Sequence, residues 1–137
     1  MVSKFTAEER EAMKARAAEA KAEKGRAAGL KAIEAEIEKL PAEEQKLSAD
    51  LHDLILAAAP DLMPRTWYGQ PAYEKDGEVL VFFQAAAKFK TRYLTLGFQE
   101  AAQLDEGAMW PTAFAVIELT DATRAEITRL VRVAVGD

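Results

Sequence analysis

Residues 65–73, Arg-Thr-Trp-Tyr-Gly-Gln-Pro-Ala-Tyr, place three of the chain's eleven aromatics beside a glycine and a proline. Two apolar runs follow, at 79–83 and 93–98. Rings and turn-formers ahead of such runs constrain the middle of the chain to a sheet entered through a bend. Aromatics at the mouth of a sheet build a pocket wall, and the same density also serves an ordinary small core. No complete catalytic or metal-binding motif accompanies them. The stretch marks where a site would lie rather than what it does.

The chain divides near residue 46. Residues 1–46 carry ten Lys/Arg, ten Asp/Glu, many alanines and one aromatic, Phe5. Thr6-Ala7-Glu8-Glu9 is a capping-box pattern, with Phe5 where a hydrophobic staple sits and Arg10 where its apolar partner would be. A helix is expected from Thr6 to about Lys24, built from strong helix formers but with only Met13 and alanines to bury. Gly25 and Gly29 are expected to break it. Leu30, Ile33, Ile37 and Leu40 then recur at helical spacing up to Pro41. Pro41 suits the first turn of a third helix, with Glu43 and Glu44 at its positive end and Leu47, Leu51, Leu54 and Ile55 as its stripe. That helix should stop near Ala59, before Pro60.

Residues 60–71 hold three prolines and read as a loop. A short strand at 72–75, an Asp76-Gly77 hairpin turn and a strand at 78–84 follow. The unbroken Val-Leu-Val-Phe-Phe of that strand suggests burial on both faces. A strand from 90 or 91 to 96, a helical segment at 98–104, a turn at 105–107 and a strand at 114–119 come next. Thr120 caps a C-terminal helix that opens with Asp121 and buries Ile127, Leu130, Val131 and Ala134. The fold class is therefore α+β: a curved antiparallel sheet packed with helices. Residues 1–46 form a charged helical extension and residues 47–137 the α+β domain.

The 137 residues suffice for one compact domain, and the chain has no cysteine for disulfides, thiolate metal sites or a thiol nucleophile. A net charge of −5 argues against broad nucleic-acid binding. The longest apolar run falls far short of the roughly 20 residues a membrane span needs. The charge-dense N-terminus has no apolar h-region, so the expected location is the cytoplasm.

The Tyr68-Gly69-x-Pro71-Ala72-Tyr73 core, followed by Gly77 and the apolar strand 79–83, resembles the YdhG-like family, a domain of unknown function. The layout matches from about Leu47 to Val135. The resemblance implies a small cytosolic α+β fold with a curved antiparallel sheet. Some family members are described as frataxin-like iron chaperones. Many carry a histidine where this chain has Lys90-Thr91-Arg92-Tyr93, which sets aside any role resting on that histidine. The charged N-terminal helix lies outside the family pattern.

Trp67, Tyr68, Tyr73, Phe82, Phe83, Phe89, Tyr93, Phe98, Trp110 and Phe114 form an aromatic set that either fills a core or partly lines a pocket. Trp67, Tyr68 and Trp110 sit in Pro- and Gly-containing segments and are the better pocket candidates. Lys88, Lys90 and Arg92 share one face if their segment is extended. They are then an anion anchor or a solvated edge that discourages aggregation. Glu74, Asp76 and Glu78 flank the hairpin turn, as a weak hard-cation site or as ordinary surface acids. His52, near Asp50 and Asp53, is the single histidine, and the plain reading is a solvent-facing helix position. Ser3 and Ser48 sit in no Gly-x-Ser-x-Gly elbow, and no phosphate-binding glycine loop is present.

These features predict a non-enzymatic cytosolic binding or accessory protein. Its ligand would be a small molecule, held in a cleft lined by Trp67, Tyr68, Tyr73 and Trp110 with Lys88, Lys90 and Arg92 at the rim. No cofactor, resident metal, nucleic acid or membrane is expected. The alternatives are an iron chaperone using Glu74, Asp76, Glu78, Asp50 and Asp53, with iron as its cargo, and a protein-interaction module using the N-terminal helix.

Overall fold

A computed structural model describes residues 6–137. Phe5, the expected staple residue, lies outside the described residues. The elements run α1 (Ala7–Glu38), α2 (Ala42–Ala58), β1 (Met63–Trp67), β2 (Gln70–Lys75), β3 (Glu78–Gln84), α3 (Ala86–Phe89), β4 (Leu94–Phe98), β5 (Ala113–Val116) and α4 (Asp121–Val135). The fold is α+β. Five strands form one open sheet in the order β1-β2-β3-β4-β5, every neighbouring pair antiparallel.

Gly25 and Gly29 do not break the N-terminal helix. α1 is continuous over 32 residues, with the full Thr6–Glu9 capping box at its start. Its first half buries nothing. Its second half buries Gly29, Ile33 and Ile37. Gly29 is there because β1 crosses the helix at that point. A Cβ on it would lie 2.8 Å from the Pro64 carbonyl carbon, whereas one on Gly25 would meet nothing within 4 Å. Helix α2 keeps its expected span and opens with Pro41 as N-cap and Glu43 and Glu44 in the first turn. Thr120 caps α4 by accepting from the Thr123 amide, and Ile127, Leu130, Val131 and Ala134 are buried as the spacing predicts.

Part of the expected loop at 60–71 is instead strand β1 and the start of β2. They join through a two-residue turn, Tyr68-Gly69, in which both residues have positive φ (53° and 72°) and which Trp67↔Gln70 closes. That is a type I′ hairpin, whose twist matches its strands. The prolines are compatible with it. Counting alternate pairs from the hydrogen-bonded closing pair, Pro64 and Pro71 occupy positions whose missing N–H would point away from the β1–β2 ladder. β1 is also an edge strand, and pairing of β2 with β3 begins only at Ala72↔Phe82.

β3 does not bury both faces. A bulge at Tyr73/Glu74 sets Tyr73 opposite Val81 and Glu74 opposite Val79, leaving Leu80 as the extra residue. Leu80 and Val81 therefore both join the core, with Phe83, while Phe82 turns to the other face. The core lies between one face of the sheet and α1, α2 and α4. Ile33, Leu51, Ile55, Tyr73, Leu96 and Val131 are fully buried there. Each such aliphatic side chain contributes about 1.5–3 kcal/mol of transfer free energy. Residues 99–104 are not helical. The Gln99 amide donates to Leu80 O (3.0 Å) and the Gln103 amide to Ala134 O (2.9 Å), so these backbone groups serve the sheet and α4 instead of a local helix.

Candidate functional site

The strand register separates the sequence-predicted ring cluster onto two sides. Tyr73 pairs with Val81 on the helix-covered face and is fully buried. Trp67 belongs to the opposite face, where its indole meets the Phe82 ring edge-on at 5.3 Å and the Tyr68 ring at 5.0 Å. Phe82 can lie flat across the sheet because its neighbour is Gly97. A Cβ there would sit 2.7 Å from Phe82 Cε1. Tyr68 is 81 % exposed at the hairpin tip, in the left-handed region that disfavours a side chain of its size. Trp110 is half-buried just ahead of β5, the edge strand opposite β1. No single cleft holds all four rings.

Helices leave the Trp67 face open, and a groove of about 640 Å³ runs across it. Trp67, Arg65, Glu74, Glu78 and Val79 line it from the strands, Gly77 from the β2–β3 turn, and Gln99, Glu100 and Ala101 from the segment after β4. The volume falls in the range of small-molecule sites, about 300–1,000 Å³. Arg65 Nη1 holds Glu74 Oε2 at 2.8 Å across the two strands. Among the described residues neither Glu78 nor Glu100 has an ion-pair partner. The groove therefore presents an aromatic wall and an excess of carboxylate, an arrangement that attracts a cation over the indole face. Glu74 and Glu78 come from the acidic hairpin that the sequence singles out. Arg65, Val79, Gln99 and Glu100 carry no local signal, because only the antiparallel pairing of β3 with β4, with Val81 opposite Phe98, brings the end of β4 near the β2–β3 turn.

Lys88, Lys90 and Arg92 do not share a strand face. Lys88 lies in the one-turn helix α3, Lys90 is its left-handed cap (φ 54°), and β4 begins only at Leu94. Lys88 donates to the Gly69 carbonyl and approaches Glu36 at 3.6 Å. Arg92 stacks its guanidinium 5.3 Å from the centre of the Tyr93 ring. None of the three cations lines the Trp67 groove.

His52 is not a solvent-facing residue. It is 8 % exposed and its Nδ1 shares a 2.7 Å hydrogen bond with the Tyr73 hydroxyl. Burial holds the imidazole below its ordinary pKa against the opposing pull of Asp53 and Glu34. Burial likewise pushes the Tyr73 phenol well up, helped by Asp53. The signal was present in the sequence: His52 stands one residue after Leu51 and three before Ile55, on the inner stripe of α2. Ser48, one turn earlier, is fully buried with no partner for its hydroxyl, so no serine–histidine pair forms. Among the described residues no three His, Asp or Glu side chains gather closely enough to hold a metal ion. Asp50 is engaged by Lys46 at 2.8 Å and Arg124 at 3.8 Å. No described helix is long and apolar enough to cross a membrane. No family model, curated protein or solved structure matches the chain.

Proposed function

We propose that this chain is a cytosolic binding protein with no chemistry of its own, which holds an organic cation in the groove beside Trp67. The observation that carries the reading is the meeting of a half-buried indole with Glu74, Glu78 and Glu100 around one groove, against a single guanidinium that is already paired. The cation sits over the indole and its charge faces Glu78 and Glu100, while Val79 and Ala101 give an apolar floor. Tyr68 supports it. A large exposed aromatic in a left-handed turn position costs stability, and such costs persist where a side chain is used.

The test is a fluorescence titration of a Trp110→Phe protein, in which Trp67 is the only indole, with choline, N-acetylarginine amide and spermidine. At least one should give saturable quenching that weakens several-fold in Glu78→Gln/Glu100→Gln and in high salt. Flat titrations with all three, or curves indifferent to the double substitution, reject the site. Preference for the arginine amide over choline would identify the cation as a side chain of a protein partner. Iron delivery, which the YdhG-like resemblance implies, draws on the same exposed hairpin acids. Saturable ferrous iron uptake that is lost in Glu74→Gln/Asp76→Asn/Glu78→Gln, with no organic cation bound, would replace this reading with that one.

A further inference from the structure

The two edges of the sheet differ. At β1 the edge is covered, because α1 packs Gly29 on the Pro64 backbone. At β5 it is bare. The Phe98 amide donates to Thr112 O at 2.8 Å, and the Gln99 amide, one residue on, donates to Leu80 O at 3.0 Å. These two bonds fix the alternation along β4, so Leu94, Leu96 and Phe98 bond towards β5 while Thr95 and Gly97 bond towards β3. Phe114 and Val116 therefore bond to β4, and Ala113 and Ala115 turn their N–H and C=O groups outward. Both alanines are exposed, and among the described residues no strand pairs with that side of β5.

Edge strands are commonly protected by a charge, a bulge or a cover. β5 pairs with β4 without a bulge, and residues 107–117 contain no Lys, Arg, Asp or Glu in a chain that is 30 % charged. Pro111, which has no N–H to offer, bounds this free edge on one side and Glu118 on the other. Large apolar side chains flank the strand in the open: Met109 is 88 % exposed and Ile117 69 %.

From this we infer that β5 pairs antiparallel with β5 of a second copy of the chain, across a two-fold axis at Phe114. The edge is complementary to itself. With Ala113 set opposite the second copy's Ala115, every outward amide and carbonyl of β5 meets its complement. Phe114, half-buried and edge-on to Phe98 at 6.1 Å, then faces the second copy's Phe114 in the close, non-hydrogen-bonded pair between them. The flanks match as well. Met109 precedes β5, and the far end of the strand borders a groove of about 230 Å³ whose lining includes Leu47, Leu94, Val116 and Ile117 beside Glu43 and Arg92. Antiparallel pairing carries each copy's Met109 towards the groove end of the other. Each chain has a net charge of −5, so the uncharged run is where two copies approach at least cost.

A strand of four residues buries little, so the dimer is transient and depends on concentration. The two Trp67 strands lie at the outer edges of the joined sheet, and a two-fold axis normal to the sheet keeps both open faces on one side. Pairing therefore leaves both Trp67 grooves accessible.

The experiment is sedimentation velocity of the full chain from micromolar to near-millimolar concentration, with amide hydrogen exchange read at residues 113 and 115. Wild type should show a reversible monomer–dimer equilibrium, with protection of both amides rising as concentration rises. Ala113→Lys/Ala115→Lys should weaken association about five- to thirtyfold, because two like-charge pairs then face each other across the seam. Ala113→Glu/Ala115→Lys should restore association to the wild-type level or beyond, since the same register sets Glu against Lys. Both positions are exposed, and urea unfolding checks that each variant is folded. A wild type that stays monomeric throughout overturns the pairing. A dimer that the double lysine variant leaves intact overturns it too, by placing the contact elsewhere. Equal losses in the two charge variants overturn the register centred on Phe114.

Discussion

Two alanine substitutions one turn apart in α1 should change stability in opposite directions. Gly25 and Gly29 are both helical, and alanine is favoured over glycine in a helix interior by about 0.8–1.0 kcal/mol. At Gly25 a new Cβ meets nothing within 4 Å, so Gly25→Ala should stabilise by nearly that amount. At Gly29 the Cβ would lie 2.8 Å from the carbonyl carbon of Pro64, which is backbone of β1 and cannot rotate away. Overpacking costs about 1–3 kcal/mol, and an obstacle made of backbone puts the cost near the upper end. Subtracting the propensity gain leaves Gly29→Ala destabilising by about 2 kcal/mol. Urea unfolding followed by far-ultraviolet circular dichroism measures both, with the helical signal of the native state as a second readout. Equal effects at the two sites would refute the crossing of α1 by β1. A loss at Gly25 would refute the continuous helix. The crossing matters for function, because the strand that packs there, β1, carries Arg65 and Trp67.

Three further outcomes follow from the same geometry. Tyr68→Asn should raise stability by about 0.5–1 kcal/mol, since asparagine tolerates the left-handed turn position, while weakening cation binding at the groove; unfolding and Trp67 fluorescence read the two effects, and a fall in stability would mean that the ring contact with Trp67 outweighs the backbone strain. Tyr73→Phe should cost about 1–3 kcal/mol by denuding the buried His52 Nδ1, and a neutral result in unfolding would show that the imidazole finds another partner. The imidazole pKa is lowered in the folded state, so the unfolded chain takes up the proton first. His52 thus costs nothing above the ordinary value of 6.5, and the folded state is penalised as pH falls below it towards the depressed value. Between about pH 7.5 and 5.5 wild type should therefore lose stability relative to His52→Gln, and a relative gain on acidification would show that Asp53 and Glu34 outweigh burial.

Local rules account for the elements whose causes lie within a few residues. The Thr6 capping box, the Leu51 and Ile55 stripe of α2, the Asp76-Gly77 turn and the Thr120 cap with its Ile127–Ala134 face were all legible, because a cap, a turn or a period is settled between near neighbours. Part of the candidate site is legible too: Trp67 stands in the aromatic run at 65–73, and Glu74 and Glu78 flank the Asp76-Gly77 turn. What neighbours in sequence could not decide was decided by distant ones. Position 29 has no room for a side chain because the Pro64 backbone lies over it, and Pro64 sits in a strand because an edge position spares its missing N–H. One bulge sends Leu80 inward and Phe82 outward. The same register buries Tyr73 against His52 and leaves Trp67 on the open face. Period and capping chemistry wrote the elements into the chain; the facing of each ring and the partners of each charge arose only when backbone segments far apart in sequence came within contact, since side-chain direction in a sheet depends on pairing.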